Sequence, residues 1–159
     1  VTNAEALRAA LREKTKENID IFKFNKEMEN ICDKLNLDKS FIHKEINVGA
    51  SGGERKKIEL LHMGILKPSF IILDEIDSGL DVDALKVVSN YITNYYKEYK
   101  PTILMITHHS NITDLIKPNY VHILDNGIIV KTGDYHLAKN IEKEGFNEAN
   151  IISKEEENE

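Results

Sequence analysis

The first third of the chain carries apolar residues at helical spacing. They recur three and four positions apart, which places them on one face of an α-helix. The spacing predicts helices over about 3–14, 25–37 and 53–66. Asn3 is expected to cap the first helix, and Pro68 to stop the third. The stripes consist of Leu7 and Leu11; of Met28, Ile31, Cys32 and Leu35; and of Ile58, Leu61, His62, Ile65 and Leu66.

The pattern changes in the next third. Two continuous apolar runs, SFIILDE (69–75) and PTILMITHH (101–109), are typical of parallel strands buried on both faces. Between them, SGLD opens a predicted turn and helix over 78–99. The inward face of that helix is expected to carry Leu85, Val88 and Ile92.

The last third adds shorter elements. The sequence predicts a short helix over 111–118, a hairpin over 120–134 with a tight turn at Asp125-Asn126-Gly127, and a helix over 135–144. The order of elements predicts an α/β fold: part of a mostly parallel sheet with an attached helical subdomain. We expect the helical subdomain over 1–66, the α/β portion over 67–146, and an acidic, disordered tail over 147–159.

Charge and cysteine content narrow the classes of function. The chain has 159 residues and a net charge of −6, and only three of its 21 basic residues are arginine. Neither nucleic acid nor an anionic membrane surface is therefore an expected partner. No apolar run approaches the ~20 residues of a membrane span. The single cysteine, Cys32, excludes an internal disulfide and cannot by itself hold an iron–sulfur cluster.

The stretch NVGASGGERKK (47–57) allows two interpretations. Ser51, followed three residues later by Glu54, is the pattern of a capping box, which is an ordinary helix start. Gly52 and Gly53, however, each cost roughly 0.5–1 kcal/mol in a helix relative to alanine. They are explained if a phosphate approaches the backbone, because a helix N-terminus presents unpaired N–H groups. These residues alone support both interpretations equally.

Acidic residues and histidines follow the two predicted strands. Ligands of open α/β sheets bind beyond the carboxyl ends of the strands. Asp74 and Glu75 end the first strand, where one carboxylate can hold magnesium and the next can orient a water; a solvated strand end is the alternative. His108 and His109 end the second strand and point to opposite sides if that strand is extended, which disfavours joint metal binding.

Together, these pieces resemble the motifs of the ATP-binding-cassette (ABC) ATPases. ASGGE (50–54) resembles their signature motif, FIILDE (70–75) their Walker B strand, SGLD (78–81) their D-loop, and His108 their switch histidine. Longer stretches, such as ILDEIDSGLDVDALKVV, resemble the SufC-type ATPases of the SUF iron–sulfur cluster assembly system. Glu54 and Asp77 match the SufC type where transporter ATPases have other residues.

The resemblance implies a role for each motif with ATP and Mg²⁺. Asp74 would bind the magnesium ion, Glu75 would position or deprotonate the attacking water, and His108 would contact the γ-phosphate. The signature residues would contact ATP held by the opposite subunit, and the D-loop residues would cross the seam of a nucleotide-dependent dimer. These residues are Ser51, Gly52, Gly53 and Glu54 in the signature motif, and Ser78, Gly79 and Asp81 in the D-loop. The implied partners are SufB- and SufD-like scaffold proteins.

A phosphate-binding loop of the form G-x-x-x-x-G-K-[ST] does not occur in the sequence. Its lysine and its nest of backbone N–H groups, which hold the β- and γ-phosphates, are therefore missing from these 159 residues. We interpret the chain as a C-terminal fragment of a cassette ATPase and expect the fragment alone to be inactive. We also expect its apolar strands to leave an exposed edge that favours self-association.

Four functions stay open for the intact protein. The first is an ATPase that energises cluster assembly on a scaffold, and the second is the ATP-binding subunit of a membrane ABC transporter. A chromosome-maintenance ATPase is disfavoured by the negative charge. A regulatory paralogue without a phosphate-binding loop is the fourth. The expected location is a plastid-type organelle or the bacterial cytoplasm, without insertion into a membrane.

Overall fold

The computed structural model describes residues 1–46 and 48–144, with side chains as far as Ile141. The chain divides after Ile106 into two compact units, which are described separately below. The predicted acidic tail over 147–159 lies outside the described residues.

Three α-helices open the first unit, as the apolar stripes predict. They are α1 (Asn3–Thr15), α2 (Ile21–Leu35) and α3 (Gly52–Leu66), with a short 3₁₀ helix (Lys39–Ile42) before α3. The prediction that Asn3 caps α1 is wrong. Thr2 is the cap: its hydroxyl accepts from the Glu5 N–H and the Glu5 carboxylate accepts from the Thr2 N–H, so that both orphan donors are satisfied.

The start of α2 also differs from its prediction. The helix begins four residues earlier than expected, because the Asp20 carboxylate accepts from the N–H groups of Phe22 and Lys23 and so caps the chain at that point. The predicted apolar stripe is nevertheless the buried face. The core of this helical part includes the fully buried Leu7, Met28, Cys32, Leu35 and Leu61.

The rest of the first unit is a strand–helix–strand arrangement. It contains β1 (Phe70–Asp74), α4 (Val82–Tyr99) and β2 (Thr102–Ile106). The two strands pair in parallel, with Phe70 opposite Thr102 and Asp74 opposite Ile106. Of the predicted inward residues of α4, Val88 and Ile92 are buried and Leu85 is half-buried.

The prediction that the strands are buried on both faces is wrong for this chain. Ile71 and Leu73 are buried, whereas Phe70 and Ile72 are 55% and 57% exposed. Leu104 and Ile106 of β2 are each 48% exposed. Side chains alternate across a strand, so one face of the pair is covered within this unit and the other is apolar and open.

The second unit contains four described elements. They are α5 (Ser110–Ile116), β3 (Val121–Asp125), β4 (Ile128–Gly133) and α6 (Tyr135–Glu144). The predicted hairpin is confirmed, and its turn residues Asn126 and Gly127 have φ values of 46° and 81°, as a tight hairpin turn requires. In the part of the chain that the structure describes, no helix combines the length and apolar character of a membrane span.

Candidate functional site

The start of α3 forms the predicted capping box. The Ser51 hydroxyl accepts from the Glu54 N–H at 3.3 Å, and the Glu54 carboxylate accepts from the Ser51 N–H at 2.8 Å. Hydrogen bonding to Ser51 lowers the pKa of Glu54, because these bonds favour the charged carboxylate. The helix start is thus fixed by its own sequence and carries a negative charge on its first turn.

The two glycines at this helix start have different surroundings. Gly52 is exposed, and a β-carbon added there would meet no atom within 4 Å. A β-carbon on Gly53 would lie 3.3 Å from the Cδ2 atom of Leu80. Gly53 therefore packs against the turn that precedes α4, while the backbone at Gly52 is open to a ligand.

Asp74 and Glu75 lie where β1 ends, and both are exposed. Asp74 is the last strand residue, and Glu75 has a left-handed φ of 47°, which turns the chain sharply away from the strand. The Glu75 N–H still donates to the carbonyl of Ile106 at 2.9 Å, so the turn remains attached to β2. A left-handed non-glycine residue is strained, and such strain is concentrated at functional positions.

Lys56 is a residue of this site that the sequence analysis missed. Its Nζ atom, on the second turn of α3, donates to the carbonyl of Glu75 at 2.5 Å and also to the carbonyl of Ser78. Helix α3, which begins with the predicted signature motif, therefore holds the turn after strand β1. No sequence signal indicates this contact, because a lysine beside a glycine-rich helix start equally suits a solvated surface.

The D-loop residues form a compact turn before α4. The Ser78 N–H donates to the Glu75 carbonyl at 3.1 Å, and Gly79 has a left-handed φ of 71°. The Asp81 carboxylate accepts from the Ala84 N–H at 2.7 Å and is the N-cap of α4. Asp81 thus has a structural task in this chain, in addition to the role that the resemblance implies.

His108 lies in the second unit, and its side chain is exposed. Strand β2 ends at Ile106, before these histidines, so the expectation for an extended strand does not apply to them. The rings of His108 and His109 are in contact, with centroids 4.0 Å apart. The Thr107 hydroxyl accepts from the His109 N–H at 3.0 Å, which bends the chain at His108.

Two other histidines and the single cysteine have local surroundings that do not point to a ligand. His62 is hydrogen-bonded to Asn3 at 2.9 Å, and His122 to Thr132 at 2.8 Å. Burial raises the pKa of the Cys32 thiol to about 11, which keeps it protonated and unreactive. The described ranges, 1–46 and 48–144, contain no group of three or more histidine, cysteine or acidic side chains that could hold a metal ion.

Comparisons with known proteins identify close sequence relatives. The chain is 43% identical over 152 residues to an iron–sulfur cluster assembly protein SufC of Plasmodium falciparum, and this match covers 93% of the chain and 44% of the relative. It is 43% identical over 141 residues to a probable ATP-dependent transporter SufC of Escherichia coli, covering 89% of the chain and 56% of the relative. It is 42% identical over 141 residues to a chloroplastic ABC transporter I family member of Arabidopsis thaliana, covering 89% and 41%.

Solved structures agree at the level of the fold. A dimeric bacterial ABC transporter cassette matches with a TM-score of 0.72 at 17% identity, over 85% of this chain and 57% of the cassette. The cassette protein cbiO1 of Clostridium perfringens matches with a TM-score of 0.64 at 19% identity, over 96% of this chain and 58% of cbiO1. No protein-family model matches the chain.

The chain spans about half the length of the curated relatives it matches. The chain thus has the fold of part of an ABC ATPase cassette, and over about nine tenths of its length its sequence is similar to SufC proteins.

Proposed function

We propose that the protein containing this chain hydrolyses ATP to drive iron–sulfur cluster assembly on a scaffold of SufB- and SufD-type proteins. The similarity to SufC proteins, at 43% identity over about nine tenths of the chain, supports this function. The observation that carries the chemistry is the start of α3, where Gly52 is exposed with no atom within 4 Å of its β-position. An open helix N-terminus stabilises an approaching phosphate.

The phosphate-binding site is completed only by a second subunit in this proposal. Gly52 and Gly53 offer backbone N–H groups and Ser51 offers its hydroxyl proton, since the Ser51 N–H already donates to Glu54. The sequence has no loop and lysine of the P-loop type for the β- and γ-phosphates. The nucleotide must therefore be held mainly by residues outside these 159. The Glu54 carboxylate is engaged in the capping box and fixes the conformation of the helix start. Dimerisation then brings this helix start to the nucleotide of the partner subunit.

A magnesium ion fits the end of β1. Magnesium in nucleotide sites commonly binds one or two protein carboxylates together with phosphate oxygens and waters. Asp74 supplies one exposed carboxylate at that position. The ion would neutralise charge on the phosphates, and the adjacent Glu75 would orient and deprotonate the attacking water.

The remaining site residues have positioning roles in this proposal. Ser78 and Gly79 would cross the seam between the two subunits, and Asp81 would hold that turn in place through its cap on α4. His108 would contact the γ-phosphate through its exposed imidazole.

Hydrolysis by the full-length protein tests the proposal. Magnesium-dependent ATP turnover is expected, and Glu75→Gln should lower kcat by roughly two to four orders of magnitude, because general-base catalysis contributes that much. ATP should still produce the dimer, detected by sedimentation. Glu59→Gln is the matched control, since Glu59 is an exposed acid on α3. Turnover that is insensitive to Glu75→Gln would contradict the assigned role.

Co-purification separates the scaffold function from that of a membrane transporter. Recovery with SufB- and SufD-type proteins from the detergent-free fraction supports cluster assembly, whereas recovery only with a detergent-solubilised membrane protein supports the transporter alternative. The relative named chloroplastic supports a plastid-type location. Organelle fractionation of the native protein tests this location.

A further inference from the structure

Asn3 is a fully buried polar residue (0% exposed) in the first turn of α1. Its Nδ2 group donates to the carbonyl of Phe41 at 3.0 Å and to that of Lys44 at 3.3 Å. Its Oδ1 atom lies 2.9 Å from Nε2 of His62, on α3. Because both amide hydrogens are used by carbonyls, the oxygen faces the imidazole, and His62 is the donor.

The backbone around Asn3 strengthens the same connection. The Asn3 N–H donates to the Lys44 carbonyl at 3.1 Å, and the Ile46 N–H donates to the Val1 carbonyl at 3.2 Å. Thr2 and Glu45 form an isolated antiparallel bridge. Residues 1–3 and residues 44–46 are thus two short antiparallel segments joined by backbone hydrogen bonds.

Residues 44–46 lead directly to the candidate phosphate site. Only four residues separate Ile46 from Ser51, the cap of α3. The last of these, Ala50, is buried, and its carbonyl accepts from Nε of Arg55 at 3.1 Å. The connection is therefore held at both ends: by Arg55 next to the helix start, and by Asn3 where the connection begins.

We propose that Asn3 is a positioning residue for the phosphate-binding end of α3. Its amide joins the segment before the signature motif to His62 on the same helix that the motif opens, and so fixes the direction from which the chain reaches Ser51. The hydrogen bond to His62 transmits any displacement of α1 to α3. This inference rests on the proposed function for its effect on catalysis, but not for its effect on local structure.

The test uses the full-length protein with Asn3→Ala. Amide hydrogen exchange should become faster at residues 48–54, because local opening sets the exchange rate. A displaced helix start should lower kcat by roughly ten- to a hundredfold. KM for ATP should change by less than about threefold, because in the proposed function the nucleotide is held mainly by residues outside these 159.

Two controls separate positioning from general loss of stability. Leu7→Ala removes a buried apolar side chain (2% exposed) from α1 and lowers stability without breaking the amide contacts. It should leave kcat and exchange at 48–54 near wild type. His62→Gln should keep the wild-type kcat and the wild-type exchange rate at 48–54, because the glutamine Nε2 group can replace the imidazole donor. His62→Leu should show part of the loss of kcat and of the faster exchange seen in Asn3→Ala.

The outcomes are distinct. Faster exchange at 48–54 in Asn3→Ala but not in Leu7→Ala supports the positioning role, even if the wild type proves to be no ATPase. Equal exchange in the two variants, or a loss of kcat that follows the fall in Tm alike in both, overturns it. Failure of wild-type hydrolysis overturns the proposed function alone.

Discussion

Lys56 and Lys57 are neighbours on α3 with different tasks. Lys56 donates to the carbonyls of Glu75 and Ser78, which belong to the turn after β1. Lys57 donates to the carbonyl of Asn36, at the end of α2, at 3.1 Å. The two lysines have the same side chain but donate to carbonyls in different segments. A substitution of Lys57 is therefore a matched control for the same substitution of Lys56.

We expect Lys56→Met to destabilise the protein by about 1–2 kcal/mol, because two carbonyls lose a charged donor. ATP turnover should fall as well, since the position of Glu75 depends on that turn. Lys57→Met should cost less than about 1 kcal/mol, as exposed charged contacts do, and leave turnover unchanged. Chemical denaturation and steady-state kinetics of the full-length variants measure both effects. Equal behaviour of the two variants would contradict the assignment.

The half-buried His62 predicts a dependence of stability on pH. Burial lowers the pKa of His62, so the folded state binds a proton less readily than the unfolded chain, whose histidine titrates near its ordinary value of about 6.5. The stabilising contribution is therefore complete above that value and is lost as the pH falls below it. His62→Gln, which does not titrate, should have a flatter profile of unfolding free energy between about pH 5 and 7. An unchanged slope in this variant would refute the prediction.

At the scale of elements, close packing of α2, α3 and α4 depends on a glycine. A β-carbon on Gly64 of α3 would overlap the hydroxyl oxygen of Tyr91 on α4 and lie 2.8 Å from Cδ1 of Ile31 on α2. Gly64 is buried within its helix. The absence of a side chain therefore lets three helices approach at one point.

Gly64→Ala should destabilise the protein by about 1–3 kcal/mol through overpacking, in spite of the better helix propensity of alanine. Tyr91→Phe in the same chain should restore part of the loss, because it removes the overlapping oxygen. Gly52→Ala is the contrasting variant: with no atom within 4 Å, it should preserve Tm but impair ATP turnover if a phosphate approaches there. Thermal unfolding and kinetics distinguish these three outcomes.

The sequence predicted the elements better than the contacts between them. The α3 cap and the hairpin turn depend on neighbouring residues, and both were confirmed. The capping role given to Asn3 was wrong because its amide is used by carbonyls about 40 residues away. Lys56 was missed for the same reason, since its acceptors are 19 and 22 residues distant. Local chemistry can be read from a sequence pattern, whereas such distant pairing cannot.

At the scale of the whole molecule, the open face of the β1–β2 pair is the dominant feature of the first unit. Ile72 and Leu104 are register partners, and both are about half exposed, as are Phe70 and Ile106. Apolar side chains on an unpaired sheet face favour association with other chains. The sequence analysis expected self-association through an exposed strand edge, whereas the apolar area that the structure shows open is one face of the strand pair.

The 159-residue chain should therefore self-associate in a concentration-dependent manner. Replacing both partners, Ile72→Thr and Leu104→Thr, should shift the distribution towards monomer, because the threonines keep the strand propensity while reducing the apolar area. Val88→Thr, at a buried position of α4, is the control for general destabilisation. Sedimentation velocity at several concentrations measures the effect. A wild-type monomer at all concentrations would contradict the prediction.

The left-handed backbone of Glu75 has a consequence for protein engineering. A residue with a side chain costs about 1 kcal/mol or more in this conformation, and glycine relieves most of that cost. Glu75→Gly is thus a change that a search for thermostable variants would select, and the N–H donation to Ile106 would survive it. It would also delete the carboxylate that we assign to the attacking water. At this position, selection for heat resistance and selection for turnover favour opposite residues.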